Sequence, residues 1–234
     1  MLASHQTTGR SVELSTLRAS IARLERGAAA DAGVVPLCEA IDRQLPGGGL
    51  ARGALHDVLA ADAGAAAAFC ALLLARATGT VLWIDLAPDA WPPGLSAFGL
   101  DPADLVLVRA SKPVDALWAF EEALRSPAIG GAVLVVRGRP PDMVASRRLQ
   151  LAAETGRGIG LLLLPDLDVV PSSTARTRWR VEGTTGADHC RPNWRLSLLR
   201  CNGGRPGRWS TTWNRDAAEL ELADTGRGRQ AILA

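Results

Sequence analysis

Four short, unbroken apolar runs set the limits on how this chain can fold. They are Val81, Leu82, Trp83 and Ile84; Leu105, Val106, Leu107 and Val108; Ala132, Val133, Leu134, Val135 and Val136; and Ile159, Gly160, Leu161, Leu162, Leu163 and Leu164. None alternates polar with apolar residues, so none suits a strand with one wet face. Runs this short, bounded by turn residues, fit strands covered on both sides. Between them lie longer stretches of helical character: residues 64–77, 114–125 and 142–155. Strands alternating with helices give βαβ units and a parallel sheet with helices on both faces. The predicted class is therefore α/β, a three-layer core built on a mainly parallel sheet.

The pattern changes after Pro171. Residues 176–181, 195–200 and 209–213 alternate apolar or aromatic side chains with Arg, Ser and Thr, and Asn202-Gly203-Gly204 is a strong hairpin turn between two of these runs. Antiparallel strands, ending in a C-terminal hairpin, are expected there. At the other end Leu14, Leu17, Ile21 and Leu24 recur at helical spacing with Arg18, Arg23 and Arg26 on other faces, an amphipathic helix. It either packs on its own domain or docks on a partner. The expected organisation is an N-terminal helical extension over residues 1–44, a core over 45–215 and a loose tail over 216–234.

A net charge of +2 demands neither nucleic acid nor a membrane surface. Cys38, Cys70, Cys190 and Cys201 form no CxxC pair and have no zinc-ligand spacing with His189, so reduced structural thiols and no metal are expected. No basic start with an apolar core opens the sequence, and no apolar stretch reaches the ~20 residues of a membrane helix, so a cytoplasmic protein is expected. No Ser-His-Asp or Cys-His arrangement is readable.

The stretch before Val81 is where a nucleotide-binding α/β protein keeps its phosphate loop. Val58 and Leu59 close a strand, a small-residue turn surrounds Asp62, and an Ala- and Leu-rich helix follows. The loop GxxxxGK[ST] needs a lysine for the phosphates and a hydroxyl for magnesium. Setting Gly64 on its second glycine puts Leu59 on the first, Ala65 on the lysine and Ala66 on the hydroxyl residue. Lys112, the chain's one lysine, lies far away in sequence. Gly47, Gly48 and Gly49 lead into a strand and not a helix, so they read as a turn and not as a phosphate cradle.

This ordering resembles the recombinase core of the RecA family over roughly residues 45–213. The motifs that carry the likeness are the entry turn Leu45-Pro46-Gly47-Gly48-Gly49-Leu50, the strand ending Ile84-Asp85, the stretch AWPPGLSAFGLDPADLVLV and the ending WRLSLLRCNGGRPGRW. The resemblance implies two further acids: one polarising the attacking water, here Ala87, and one on the magnesium side, here Arg137. With lysine, hydroxyl and both acids replaced, the expectation is a non-catalytic protein without a nucleotide cofactor. Asp85 keeps a family position but reads as a cap on the strand-to-loop turn. The two stretches that would correspond to DNA-binding loops, residues 137–141 and 165–171, are short.

A RecA-like core without the phosphate loop, preceded by a helical extension, is similar to the bacterial ImuA family. That resemblance implies an accessory role in SOS mutagenesis, meaning translesion DNA synthesis, beside the Y-family-like protein ImuB and an error-prone C-family polymerase. RecA is a further implied partner, with the protein nucleoid-associated when active. The related SulA division inhibitors, which bind FtsZ, share the stripped core without the extension and give the alternative role.

The candidate contact residues are the Leu14, Leu17, Ile21 and Leu24 face, Trp91, and the C-terminal set Arg178, Arg180, Arg195, Arg200, Arg208, Trp209 and Trp213. Residues 176–215 hold nine arginines against Glu182 and Asp188, a net +7, interleaved with four tryptophans. Three readings stand: a sheet with Trp inside and Arg outside, a protein interface, or single-stranded nucleic acid bound by stacking and phosphate contact. Trp91 is either an exposed anchor or plain packing.

Overall fold

The computed structural model describes residues 32–167, 169, 171–185 and 191–223. Val34–Val35 (β1) pairs antiparallel with Leu50–Ala51 (β2), and the short helix Glu39–Asp42 (α1) lies between them. Val35, Leu37 and Ile41 are buried in the main core, so the folded unit begins before residue 45, inside the stretch expected as an extension.

Ala54–Ala60 (β3) is central to the sheet. It leads into Ala63–Ala75 (α2), then Thr80–Asp85 (β4), the short Pro92–Ser96 (α3) and Leu105–Arg109 (β5). Pro113–Arg125 (α4), Ile129–Val135 (β6), Met143–Gly156 (α5) and Ile159–Pro165 (β7) complete the alternating part. Thr177–Thr184 (β8), Asn193–Cys201 (β9), Gly207–Asn214 (β10) and Glu219–Leu222 (β11) follow. The nine strands run in the order β11-β10-β9-β8-β3-β7-β6-β4-β5. From β5 to β8 every neighbour is parallel, and β9, β10 and β11 add antiparallel pairs.

Three of the four unbroken apolar runs are explained by two cores, one on each face of the sheet. The fourth, Leu105 to Val108, expected to be covered on both sides, forms the edge strand β5, where Val106 and Leu107 are 45% and 41% exposed because no helix covers the sheet's end there. Val81, Trp83, Val133, Ile159, Leu161 and Leu163 face α2. Ile84, Ala132, Leu134, Leu162 and Leu164 face α4 and α5. Since each strand side chain goes alternately up or down, both parities must be apolar. Each buried Val, Leu or Ile contributes ~1.5–3 kcal/mol of transfer free energy, so a polar residue of either parity would be costly. Helix α2 shows no amphipathic stripe because it is buried nearly all round: Ala65, Ala66, Ala68, Phe69, Cys70, Ala71, Leu72, Leu73 and Leu74 are all inside. Gly156 ends α5 where a Cβ would lie 2.1 Å from the Leu124 carbonyl oxygen, and this permits the close packing of α5 against α4.

The hairpin turn lies where the sequence puts it, with Gly203 at φ +79° between β9 and β10. Beyond it, β11 pairs with β10 inside the stretch expected as a tail, with Thr211 opposite Leu222 and Trp213 opposite Leu220. One helix is rotated from its sequence expectation. Over residues 114–125 the sequence sets apolar Leu117, Trp118, Phe120, Ala123 and Leu124 against Asp115, Glu121 and Glu122, which predicts Trp118 on the buried face and Glu121 on the wet one. In fact Trp118 is 63% exposed and Glu121 is buried beneath Arg125 and Arg148, which pair with it. Hydrogen bonds from those guanidiniums hold the Glu121 carboxyl below its ordinary range, against the opposing pull of burial.

Candidate functional site

In a parallel sheet of this kind ligands gather at the carboxyl ends of the strands. Here the junction between β3 and α2 consists of two residues, Ala61 and Asp62. The Asp62 carboxylate accepts a hydrogen bond of 2.7 Å from the Ala65 N–H, and its own N–H donates to the Val181 carbonyl at 3.2 Å. Leu59 lies inside the strand and is buried, while Gly64, Ala65 and Ala66 form the first turn of the helix. The positive helix start, where a phosphate would otherwise sit, thus already holds a carboxylate of its own chain.

Asp85 ends β4 and is completely buried. Its carboxylate accepts two bonds of 2.7 Å from Arg137, Nε to one oxygen and Nη2 to the other. Arg137 also donates to the Ala87 carbonyl at 2.8 Å and pairs with Asp89 at 3.0 Å. The capping expected of Asp85 is present as a 3.2 Å bond from the Ala87 N–H. The lock by Arg137, 52 residues onward, is the additional finding. Burial alone would raise the Asp85 pKa, but the guanidinium and the Ala87 and Leu86 N–H groups outweigh it and hold the carboxyl below its ordinary value. The same contacts push the Arg137 guanidinium upward. Arg137, at a position where the RecA resemblance implies an acid, thus neutralises Asp85 instead.

The arginines of the C-terminal region are mostly committed. Arg178 holds buried Asp57 through Nε and Nη2 at 3.0 and 2.8 Å, and Ser173 donates to the same oxygen at 2.6 Å. Arg200 donates to the carbonyls of Ser173 and Ala175 at 2.9 and 2.6 Å, and burial lowers its pKa. Arg180 pairs with Asp166 and Arg195 with Glu182. Trp209 and Trp213 are buried, the latter donating from its indole to the Ala97 carbonyl at 2.8 Å. Trp179 and Trp209 pack at 5.9 Å between ring centroids, as do Phe98 and Trp213. Trp inside and Arg outside is the arrangement found, and burial removes Trp209 and Trp213 from the side chains a partner can reach. Of the set, Arg180 and Arg208 stay exposed. Leu14, Leu17, Ile21 and Leu24 lie outside the described residues.

Behind this site His56 is buried on β3 in a closed chain of bonds. Its Nε2 lies 2.9 Å from the Ala51 carbonyl and must donate; its Nδ1 then accepts from the Thr177 hydroxyl at 2.7 Å, which itself accepts from the Trp179 indole at 2.9 Å. Burial lowers the imidazole pKa to about 4, so it is neutral at pH 7. Among the described residues no cluster of His, Cys, Asp and Glu could hold a metal ion, and no helix is long and apolar enough to cross a membrane.

Two clefts open at the same edge. The larger, about 950 Å³, lies on the α2 and α3 side and is lined by Ala67, Trp83, Trp91, Phe98, Val135 and Leu163 among others. The smaller, about 300 Å³, lies on the α4 side, lined by Leu86, Pro113, Val114, Leu117, Val136 and Arg139. Both are bordered by Arg137 and Gly138. Trp91, the expected anchor, is 69% exposed on the rim of the larger cleft. Sequence reasoning missed the exposed Val114 and Val144, in the first turns of α4 and α5, because a lone apolar residue at a helix start carries no sign of which way it will face.

No protein-family model matches the chain. Among individual proteins, the chain is 36% identical over an alignment of 195 positions, which covers 72% of it, to "Protein ImuA" of Caulobacter vibrioides, in both the NA1000 / CB15N and the ATCC 19089 strains, and spans 78% of that protein. A shorter stretch of 86 residues, 36% of the chain, is 38% identical to "Cell division inhibitor SulA" of Edwardsiella piscicida and covers 49% of it. The ImuA match extends through most of both chains and the SulA match through less than half of either, and by that measure the chain belongs to the ImuA family.

Proposed function

We propose that the chain is a non-catalytic accessory protein of SOS mutagenesis, a cytoplasmic RecA-like scaffold that acts in translesion synthesis through protein contacts. The observation that carries this is the internal locking of the nucleotide edge: Asp62 caps α2, and Arg137 occupies an acid position while binding Asp85. An incoming triphosphate would have to displace a carboxylate at the helix start, with neither lysine nor hydroxyl there to receive it. Hydrolysis would further need a carboxylate beside the water where Ala87 stands. Membership of the ImuA family supports the setting. The partners proposed are the ImuB-type protein first, then RecA and the error-prone C-family polymerase.

The experiment is retention of purified ImuB-type protein, RecA and FtsZ on the immobilised full chain. Retention of the ImuB-type protein is expected. The partial match to SulA supports a second role, inhibition of division through FtsZ, and retention of FtsZ alone would replace the first role with the second.

A further inference from the structure

The sheet ends on an open strand. β5 is last in the strand order and, among the described residues, pairs with β4 alone. The Val81 N–H donates to the Asp104 carbonyl at 2.8 Å, and the Ala110 N–H donates to the Asp85 carbonyl at 2.9 Å. In an extended strand successive residues turn their N–H and C=O to opposite sides, so Val106 and Val108 also face β4. Leu107 and Arg109 turn theirs to the open edge, as does the Leu105 carbonyl, while the Leu105 N–H donates to the Pro102 carbonyl at 3.3 Å. Apolar side chains are open there too. Leu105 packs on the core beneath α2 and Val108 on the core beneath α4 and α5, so the exposed Leu107 and Val106 lie on opposite faces of the sheet.

An edge of this kind is a template for another strand. The usual guards are missing: Leu105–Arg109 holds no proline, no bulge interrupts its register with β4, and no charge falls before Arg109. The other edge of the sheet is guarded, since β11 carries Glu219 and Glu221, and a second copy of it would bring acids against acids. The charges flanking β5 identify the strand that fits. Over residues 101–112 they are Asp101 and Asp104 at the start and Arg109 and Lys112 at the end. Asp104, Arg109 and Lys112 are exposed and make no side-chain bond or ion pair among the described residues. A strand acidic at one end and basic at the other complements its own reverse: laid antiparallel, each acidic end meets a basic one.

We propose that β5 pairs antiparallel with β5 of a second copy of this chain, about a two-fold axis between the two Leu107 residues, joining two sheets into one. Leu107 exchanges N–H to C=O bonds with its counterpart, and the Arg109 N–H of each copy donates to the Leu105 carbonyl of the other. Val106 meets Val108, the open apolar side chains are covered, and Asp104 of one copy lies towards Arg109 and Lys112 of the other. The contact is the same patch on both copies, so it closes at a dimer. Strands of five residues bury well under the roughly 1,200 Å² of a standard interface. The dimer is therefore weak, with a Kd of about 1–100 µM. The proposal goes beyond the accessory role and does not depend on which protein the chain contacts there.

Sedimentation equilibrium of the full chain across that concentration range is the test. The 24.6 kDa monomer should give way to a species of twice the mass as concentration rises. Leu107→Pro removes the central outward N–H, a change an edge strand accepts because that N–H takes no part in the ladder to β4. It should raise the Kd at least about tenfold. Two further variants alter exposed charges alone. Asp104→Lys puts a base at each end of the strand, and Arg109→Glu with Lys112→Glu puts an acid at each end. Each should dimerise about tenfold more weakly by itself, and the two mixed in equal amounts should form a mixed dimer as tight as the parent's. A parent chain that stays monomeric throughout, assembly beyond the dimer, a Leu107→Pro dimer as tight as the parent's, or charge variants that do not associate on mixing overturns the proposal.

Discussion

Removing the Arg137 side chain leaves a buried carboxylate with backbone donors alone. Asp85 has no exposure and takes both of its short bonds from that guanidinium, keeping otherwise the N–H of Ala87 at 3.2 Å and the weaker help of the Leu86 N–H. Breaking a fully buried pair costs about 3–5 kcal/mol. Arg137 is 36% exposed on its side chain, and water screens part of the attraction, so Arg137→Ala should cost about 2–3 kcal/mol. Urea unfolding of the parent chain, Arg137→Ala, Asp85→Asn and the double variant measures this, and the cycle should return a coupling of about 2 kcal/mol. The pH dependence gives an independent check. In the parent chain the Asp85 pKa is depressed, so its stabilisation is present above the ordinary carboxylate pKa and fades as pH falls through the folded value. In Arg137→Ala burial acts unopposed by that guanidinium and raises the pKa. Protonation then relieves the variant, and its deficit should shrink between pH 7 and about pH 4. A deficit below about 0.5 kcal/mol, or one that grows in acid, would refute this account of the edge.

Three further outcomes follow from the same geometry. Asp62→Ala should cost about 1 kcal/mol in urea unfolding through loss of the α2 cap. His56 has its pKa depressed from 6.5 to about 4. Its stabilisation is therefore complete above about pH 6.5 and lost on descending towards pH 4, by about 3 kcal/mol, and His56→Gln should flatten that part of the profile. Gly156→Ala should destabilise by about 3 kcal/mol, since the new methyl meets the Leu124 carbonyl oxygen and α4 must move, whereas a surface site would show almost nothing.

The central parallel strands were legible because burial on both faces leaves a mark along the chain itself, an apolar run with no alternation. The same mark at Leu105 to Val108 misled, since that run is the sheet's edge strand and Val106 and Leu107 are exposed. The C-terminal strands were legible from their alternation and from the Asn202-Gly203-Gly204 turn. What stayed hidden depends on contacts between distant residues. Arg137 could be recognised as standing where an acid is expected, but its bonds to Asp85 span 52 positions and leave no local signal. The commitment of Arg178 to Asp57 is of the same kind, across 121 positions. The rotation of α4 escaped because Trp118 and Glu121 are neighbours on the helical wheel, and Arg148 on α5 is what draws Glu121 inward. Strand β11 was hidden by its composition: Glu219, Leu220, Glu221 and Leu222 bury only Leu220 at the end of the sheet.

The central claim, that this edge has exchanged nucleotide chemistry for internal locks, is tested most directly by titrating magnesium and ATP into the purified full chain in a calorimeter. No saturable heat up to about 1 mM nucleotide, with phosphate release no faster than in buffer, is the predicted result. Saturable binding that disappears when Gly64 or Ala65 is replaced by a bulky residue would contradict it.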